Sequence, residues 1–187
     1  MRPRNYSTGA LVLRILLLAL TLGTARSAEA LDPISIGNIQ SAMRTLGFIE
    51  SLPAQGPIVV GVIYAPDIPG AQALAAETAA TIGALHGPNS RTLQPFVLSA
   101  TDLNTFHGRC DVIFLTAGVS RQPERILGAM GRLHLVSISD DPLCIAMRCC
   151  VLLVRTGERV EISLNTSLAA AVGARFSMVF MMVVKRR

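Results

Sequence analysis

Four cysteines, Cys110, Cys144, Cys149 and Cys150, are the residues of this 187-residue chain whose type and spacing bear most directly on chemistry. An even count in an exported chain points to disulfides, and four thiols admit three pairings. Zinc is the competing reading, and it usually shows two C-x₂₋₄-C pairs or cysteine with histidine at matching spacing. Here Cys144 and Cys149 stand slightly wide of each other, and adjacent Cys149 and Cys150 cannot easily face one metal from a strand. The four are therefore assigned to disulfides, with no metal. Side chains alternate along a strand, so only one of Cys149 and Cys150 should point at Cys144. Cys150 is favoured slightly, because a Cys144–Cys149 loop is tighter and more easily strained. The remaining cysteine then faces Cys110 or stays a buried thiol.

Hydrolytic chemistry finds little support. Ser120 sits in Gly118-Val119-Ser120-Arg121-Gln122, which lacks the second glycine of a nucleophile elbow. A triad of Ser120, Asp140 and one of His86, His107 or His134 would need a histidine at the strand ends where Ser120 lies, and the three fall near the opposite ends. Two-metal chemistry wants several convergent carboxylates, whereas Asp140-Asp141 is the only adjacent pair, and Pro142 behind it marks a turn. Neither Gly-x-x-x-x-Gly-Lys nor Gly-x-Gly-x-x-Gly after the first strand is present. No catalytic residue, cofactor or metal is expected, and the chain reads as a non-enzyme.

The elements that carry these residues alternate in type. Ile36, Ile39, Met43, Leu46 and Ile49 recur at helical spacing over Ile34–Ser51, with Pro53 as the stop. Ile58–Tyr64 is a continuous β-branched run, the mark of a strand buried on both faces. A helix over Ala71–Leu85, a strand over Leu93–Leu98, a short helix over Thr101–Phe106 and a strand over Asp111–Thr116 follow. Pro123–Leu133 is the next helix and Leu135–Ser139 the fourth strand. That alternation predicts right-handed crossovers and a parallel sheet. Cys150–Arg155 and Arg159–Leu164, joined by Thr156-Gly157-Glu158, predict a hairpin. Asn165 caps a helix ended by Gly173, and Phe176–Val183 is the last helix. The fold class is thus α/β, a Rossmann-like three-layer sandwich whose mainly parallel sheet is extended by a C-terminal antiparallel hairpin. Acids and hydroxyls gather at the carboxyl ends of the strands, at Asp67, Ser99-Ala100-Thr101-Asp102, Thr116–Arg121 and Ser139–Asp141. Ligand sites of open sheets lie there, but these residue types also make helix caps and turns.

The beginning of the chain reads as a signal peptide over residues 1–30. Arg2, Arg4 and Arg14 precede or enter an apolar run, Ile15–Ala25, too short to span a bilayer, and Ala28-Glu29-Ala30 offers a small-x-small cleavage pattern. Leu31–Arg187 is then one domain in an oxidising compartment. Cleavage reduces the formal charge of +5 to thirteen basic against eleven acidic residues. That balance excludes a nucleic-acid footprint, which needs clustered basic residues on one face. Lys185-Arg186-Arg187 reads as a solvated tail. Phe176, Met178, Phe180, Met181 and Met182 crowd the last helix, more often a core stripe than a contact face.

The helix ending in Phe48-Ile49-Glu50-Ser51-Leu52-Pro53, the strand Ile58–Tyr64, the segments Cys110–Leu115 and Leu135–Asp140, and the strand Arg159–Asn165 with its apolar C-terminal helix together resemble the YfiR-like family of periplasmic proteins. The resemblance implies a non-catalytic regulator in the periplasm. It implies repression of an inner-membrane diguanylate cyclase, whose product is cyclic di-GMP, through that enzyme's periplasmic domain, with disulfide state and envelope stress tuning the effect on biofilm formation. Related domains serve as sensory modules of membrane kinases, so a sensor kinase is the other partner implied, and a homodimer is also allowed. A small-ligand-binding module, resembling half of a periplasmic binding protein, is the alternative function.

Overall fold

The structure, a computed structural model, describes Leu31 and residues 34–187. The export segment read over residues 1–30 lies outside the described residues.

The β-branched runs form the centre of one sheet. Strands β1 (Ile58–Tyr64), β2 (Leu93–Ser99), β3 (Val112–Leu115), β4 (Val136–Ser139) and β5 (Leu152–Thr156) run parallel to their neighbours. Strand β6 (Val160–Leu164) returns antiparallel to β5, and a two-residue β7 (Lys185–Arg186) runs parallel to β6. The order is β2-β1-β3-β4-β5-β6-β7, a seven-stranded α/β sheet with the expected hairpin extension. All four residues of β3 and all four of β4 are buried, as strands covered on both faces must be; in β4 the buried Ser137 and Ser139 hydroxyls are spent on the carbonyls of Cys149 and Leu115.

Among the described residues six α-helices surround it: α1 (Ile36–Thr45), α2 (Ala71–Gly83), α3 (Pro123–Leu133), α4 (Pro142–Ala146), α5 (Thr166–Ala171) and α6 (Met178–Val183). The step from β1 to β2 moves one way across the sheet, and the steps β3 to β4 to β5 move the other way. Right-handed crossovers therefore put α2 on one face and α3 and α4 on the opposite one. Helix α1 packs against α2 and β5, on the α2 face. The core runs through both layers, with Ile58, Ile63, Ile113, Phe114, Leu115, Ile126, Met130 and Ile138 fully buried. Each such side chain contributes about 1.5–3 kcal/mol of transfer free energy. Gly61 in β1 permits close packing: a Cβ there would lie 3.2 Å from Cys110 Sγ and Phe96 Cζ, so both side chains would have to shift by a few tenths of an ångström.

Three local expectations differ from the structure. The first helix is shorter than Ile34–Ser51: it becomes a 3₁₀ turn at Leu46–Phe48, and Ile49 turns extended to bridge Phe176. A backbone pairing, not Pro53, ends it. Pro142 opens helix α4 instead of a turn, with Asp141 Oδ1 accepting from Leu143 N at 2.9 Å as its cap. The basic end is no solvated tail along its backbone: Arg187 N donates to Leu164 O at 2.9 Å, while the Lys185 and Arg186 side chains stay exposed.

Candidate interaction surface

The strand ends are built first of all from self-satisfied polar groups. Thr116 Oγ1 donates to Ile63 O at 2.9 Å, and Ser139 Oγ donates to Leu115 O at 3.0 Å. Ser99 Oγ donates to Asp102 Oδ2 at 2.9 Å. Where the strand order reverses, between β1 and β3, open sheets usually leave a ligand crevice. Here Ile68 fills it. Gly118 adopts φ +86° beneath that side chain, and a Cβ on it would come within 2.2 Å of Ile68 Cδ1. Gln122 Nε2, donating to Asp67 Oδ1 at 2.8 Å, ties the two loops together above.

Ser120, Asp140 and the histidines are not brought together. The Ser120 hydroxyl is buried and donates to Asp141 Oδ2 at 2.6 Å, so its carboxylate partner is the α4 cap. His86 pairs with Thr92 before β2, and His134 ends α3 before β4, both at the amino ends of the strands. His107 precedes β3. Asp140 instead accepts from Asn38 Nδ2 at 3.0 Å, and burial raises its carboxyl above the ordinary range against the opposing pull of that bond. Among the described residues no cluster of three or more His, Cys, Asp or Glu side chains is arranged to hold a metal ion.

The cysteines divide into three and one. Cys144 on α4 and Cys149 and Cys150 before β5 are buried, and both later thiols bear on that of Cys144. Cys149 Sγ also lies 3.4 Å from Cys144 O. Strand alternation does not separate Cys149 from Cys150, because β5 begins only at Leu152 and Arg148 turns the chain at φ +57° just ahead of them. The hydrogen bond to Cys149 lowers the Cys144 thiol, but the one to Cys150 and burial outweigh it and leave the group well above the thiol range. Cys149 is raised by its bond to Cys144 and by burial. Cys110 stands apart beside Gly61, donates to Val112 O at 3.2 Å, and is pushed up to about 11 by burial. All four are free thiols in the structure.

The surface that stands out is α6. Phe180 is its buried anchor, stacked between Phe48 and Phe176 at centroid distances of 5.2 and 5.3 Å. Ser177 N donates to Phe48 O at 2.9 Å and Glu50 N to Arg175 O at 2.8 Å, so the entry to α6 is stitched to the end of α1. Met178, Val179, Met182 and Val183 nevertheless expose 61–77 % of their surface. The expected core stripe is thus divided: Phe180 is fully inside and Phe176 and Met181 pack against the core, whereas Met178 and Met182 join Val179 and Val183 in a solvent-facing apolar face. Phe48 and the pattern Phe176-x-x-x-Phe180 were the sequence signals for the anchor; nothing in periodicity says which face of so short a helix is covered. No helix among the described residues is long and apolar enough to cross a membrane.

Comparison with known proteins gives two results. The profile of a family described as YfiR/HmsC-like matches residues 63–183. Solved structures share the fold. A conserved domain protein from Vibrio cholerae O1 biovar El Tor superposes with a TM-score of 0.54 at 11% identity, over 83% of this chain and 61% of that one. The ABC domain from Streptococcus pneumonia in complex with L-Trp gives 0.56 at 8% identity, over 80% and 59%. The chain therefore spans about three-fifths of the length of each. No curated protein matches.

Proposed function

The chain belongs to the YfiR/HmsC-like family of periplasmic regulators in cyclic di-GMP signalling, and on that premise we propose that it binds and represses an inner-membrane diguanylate cyclase by docking α6 on the enzyme's periplasmic domain. The observation that carries this reading is the exposed face of Met178, Val179, Met182 and Val183 on a helix whose other side is locked by Phe180. A contiguous apolar face that the protein's own fold leaves uncovered marks a contact site, and methionine gives such a face adaptable shape.

Cleavage after Ala30 delivers the domain to the periplasm, where oxidation joins Cys144 to Cys149 or Cys150. Both thiols bear on Cys144, which supports either pairing. The bridge pins the end of α4 to the entry of β5, and its loss weakens repression. Non-catalytic action agrees with strand-end hydroxyls that are spent on the fold's own carbonyls and carboxylates.

The test is capture of the cyclase's periplasmic domain by the exported protein, alongside cellular cyclic di-GMP. Met182→Glu and Val179→Glu should abolish capture with an unchanged melting temperature, and deletion of the gene should raise cyclic di-GMP and biofilm formation. Unchanged cyclic di-GMP on deletion would overturn the reading.

A further inference from the structure

We propose that the uncovered face of β5, β6 and β7 beside α4 binds the phosphate group of a small soluble ligand. Strand alternation places Leu153 and Arg155 of β5 on one face. Their cross-strand partners are Ser163 and Glu161, and Ser163 pairs in turn with Lys185. Arg187, two residues on, continues the Lys185 side. The five-residue helix α4 covers only the near edge of this face, through Pro142, Ile145 and Ala146. The result is a recess of about 150 Å³ with three cations, Arg155, Lys185 and Arg187, around it and Glu161 as its single acid.

Two observations make this a site and not merely a basic surface. Among the described residues the only ion pair is Arg109–Asp111, so none of the three cations forms a salt bridge there. Glu161 faces Arg155 across the strands without closing a salt bridge, and Asp140 is the other acid in the field of Arg155. Ser163 is more than nine-tenths buried, yet its hydroxyl, with no hydrogen bond among the described residues, opens into the recess. The main-chain oxygen of Arg187 is turned away, accepting from Thr166 N and Oγ1 at 3.2 Å each.

Three cations against one acid favour a dianion. The guanidinium forks of Arg155 and Arg187 match two oxygens of a tetrahedral oxyanion, Lys185 adds a point charge, and Ser163 donates from the floor. The recess leaves room for a phosphate and a short substituent against Leu153 and Ile145. The site lies on the α4 side of the sheet, whereas the docking helix α6 stacks on the end of α1, so the two inferences stand or fall separately.

Calorimetric titration of the exported protein with inorganic phosphate and phenyl phosphate tests the proposal, with succinate and vesicles of phosphatidylglycerol or phosphatidylcholine as further arms. The expected result is saturable one-to-one binding of both phosphates that weakens at least tenfold in Arg155→Gln and in Arg187→Gln. Arg125→Gln on α3 should leave it unchanged. All three side chains are exposed, so the melting temperature of each variant should match the parent and separate lost binding from lost folding. No saturable signal, equal affinity in the arginine variants, or succinate binding as tightly as phosphate would overturn it. So would binding to phosphatidylglycerol vesicles with none to the free phosphates, which would assign the patch to a membrane.

Discussion

Asn38 hydrogen-bonds two strands at once: its amide nitrogen donates to Asp140 at 3.0 Å, while its oxygen accepts from Thr156 N at 2.7 Å and Thr156 Oγ1 at 2.6 Å. The first turn of α1 is thereby fixed to the ends of β4 and β5. Removing one partner of a buried hydrogen bond leaves the other unpaired, at a cost of about 1–3 kcal/mol. Asn38→Ala should therefore lower stability by about 2 kcal/mol in urea titration, and more than Ser35→Ala at the neighbouring cap, whose side chain faces solvent.

Asp140 gives this junction a pH dependence. Burial holds its carboxyl above the unfolded value of about 3.9. The folded chain thus binds a proton more readily than the unfolded one. Its contribution to stability is full below the unfolded value and is lost as pH rises through the folded value. Asp140→Asn keeps an oxygen for Asn38 and removes the charge. Its melting temperature relative to the parent should rise between pH 3 and pH 7; a constant difference across that range would contradict the assignment.

Helix α6 separates anchoring from display. Phe180→Ala removes the middle ring of a three-ring stack and should destabilise by about 3–5 kcal/mol, the usual cost of emptying a buried phenylalanine site. Met182→Ser and Val183→Ser, on the exposed face, should change stability by about 0.5 kcal/mol or less. Chemical denaturation of the three variants checks the contrast.

Thiol reactivity follows burial. In reduced, folded protein at pH 8, Cys110 is thiolate in about one molecule per thousand, given a value near 11. Alkylation there should be slow and should accelerate about tenfold per pH unit between 8 and 10. Cys144 and Cys149, raised further, should label only on unfolding. Rapid labelling of Cys144 in the native protein would contradict its packing. For oxidised, exported protein, peptide mapping should find Cys144 bonded to Cys149 or Cys150, not to the distant Cys110.

The sheet was legible because its central strands are short runs rich in Val and Ile, Ile58–Tyr64 above all, set between Gly- and Pro-marked turns and helices. The hairpin was legible from its turn. What escaped depended on tertiary pairing. Ile49 leaves helical geometry to bridge Phe176, Lys185–Arg186 becomes a strand because β6 offers a free edge, and one face of the Met-rich helix points outward because its packing partners meet only the side that carries Phe180 and Met181. Cysteine alternation failed for a related reason: it was argued on a strand that starts two residues later. The family resemblance was carried by long segments of sequence; the recess between α4 and β7 needed residues 142, 163 and 187 in one place, which no local pattern predicts.

The clamping of α6, by a stacked ring on one side and by β7 immediately behind it, also sets the thermodynamics of any encounter. A partner meets side chains on a backbone that is already ordered, so little conformational entropy is lost on association and most of the apolar area covered goes into affinity. Such a preorganised face favours a slow dissociation rate over a fast, loosely formed complex, which suits the repressive docking proposed for α6.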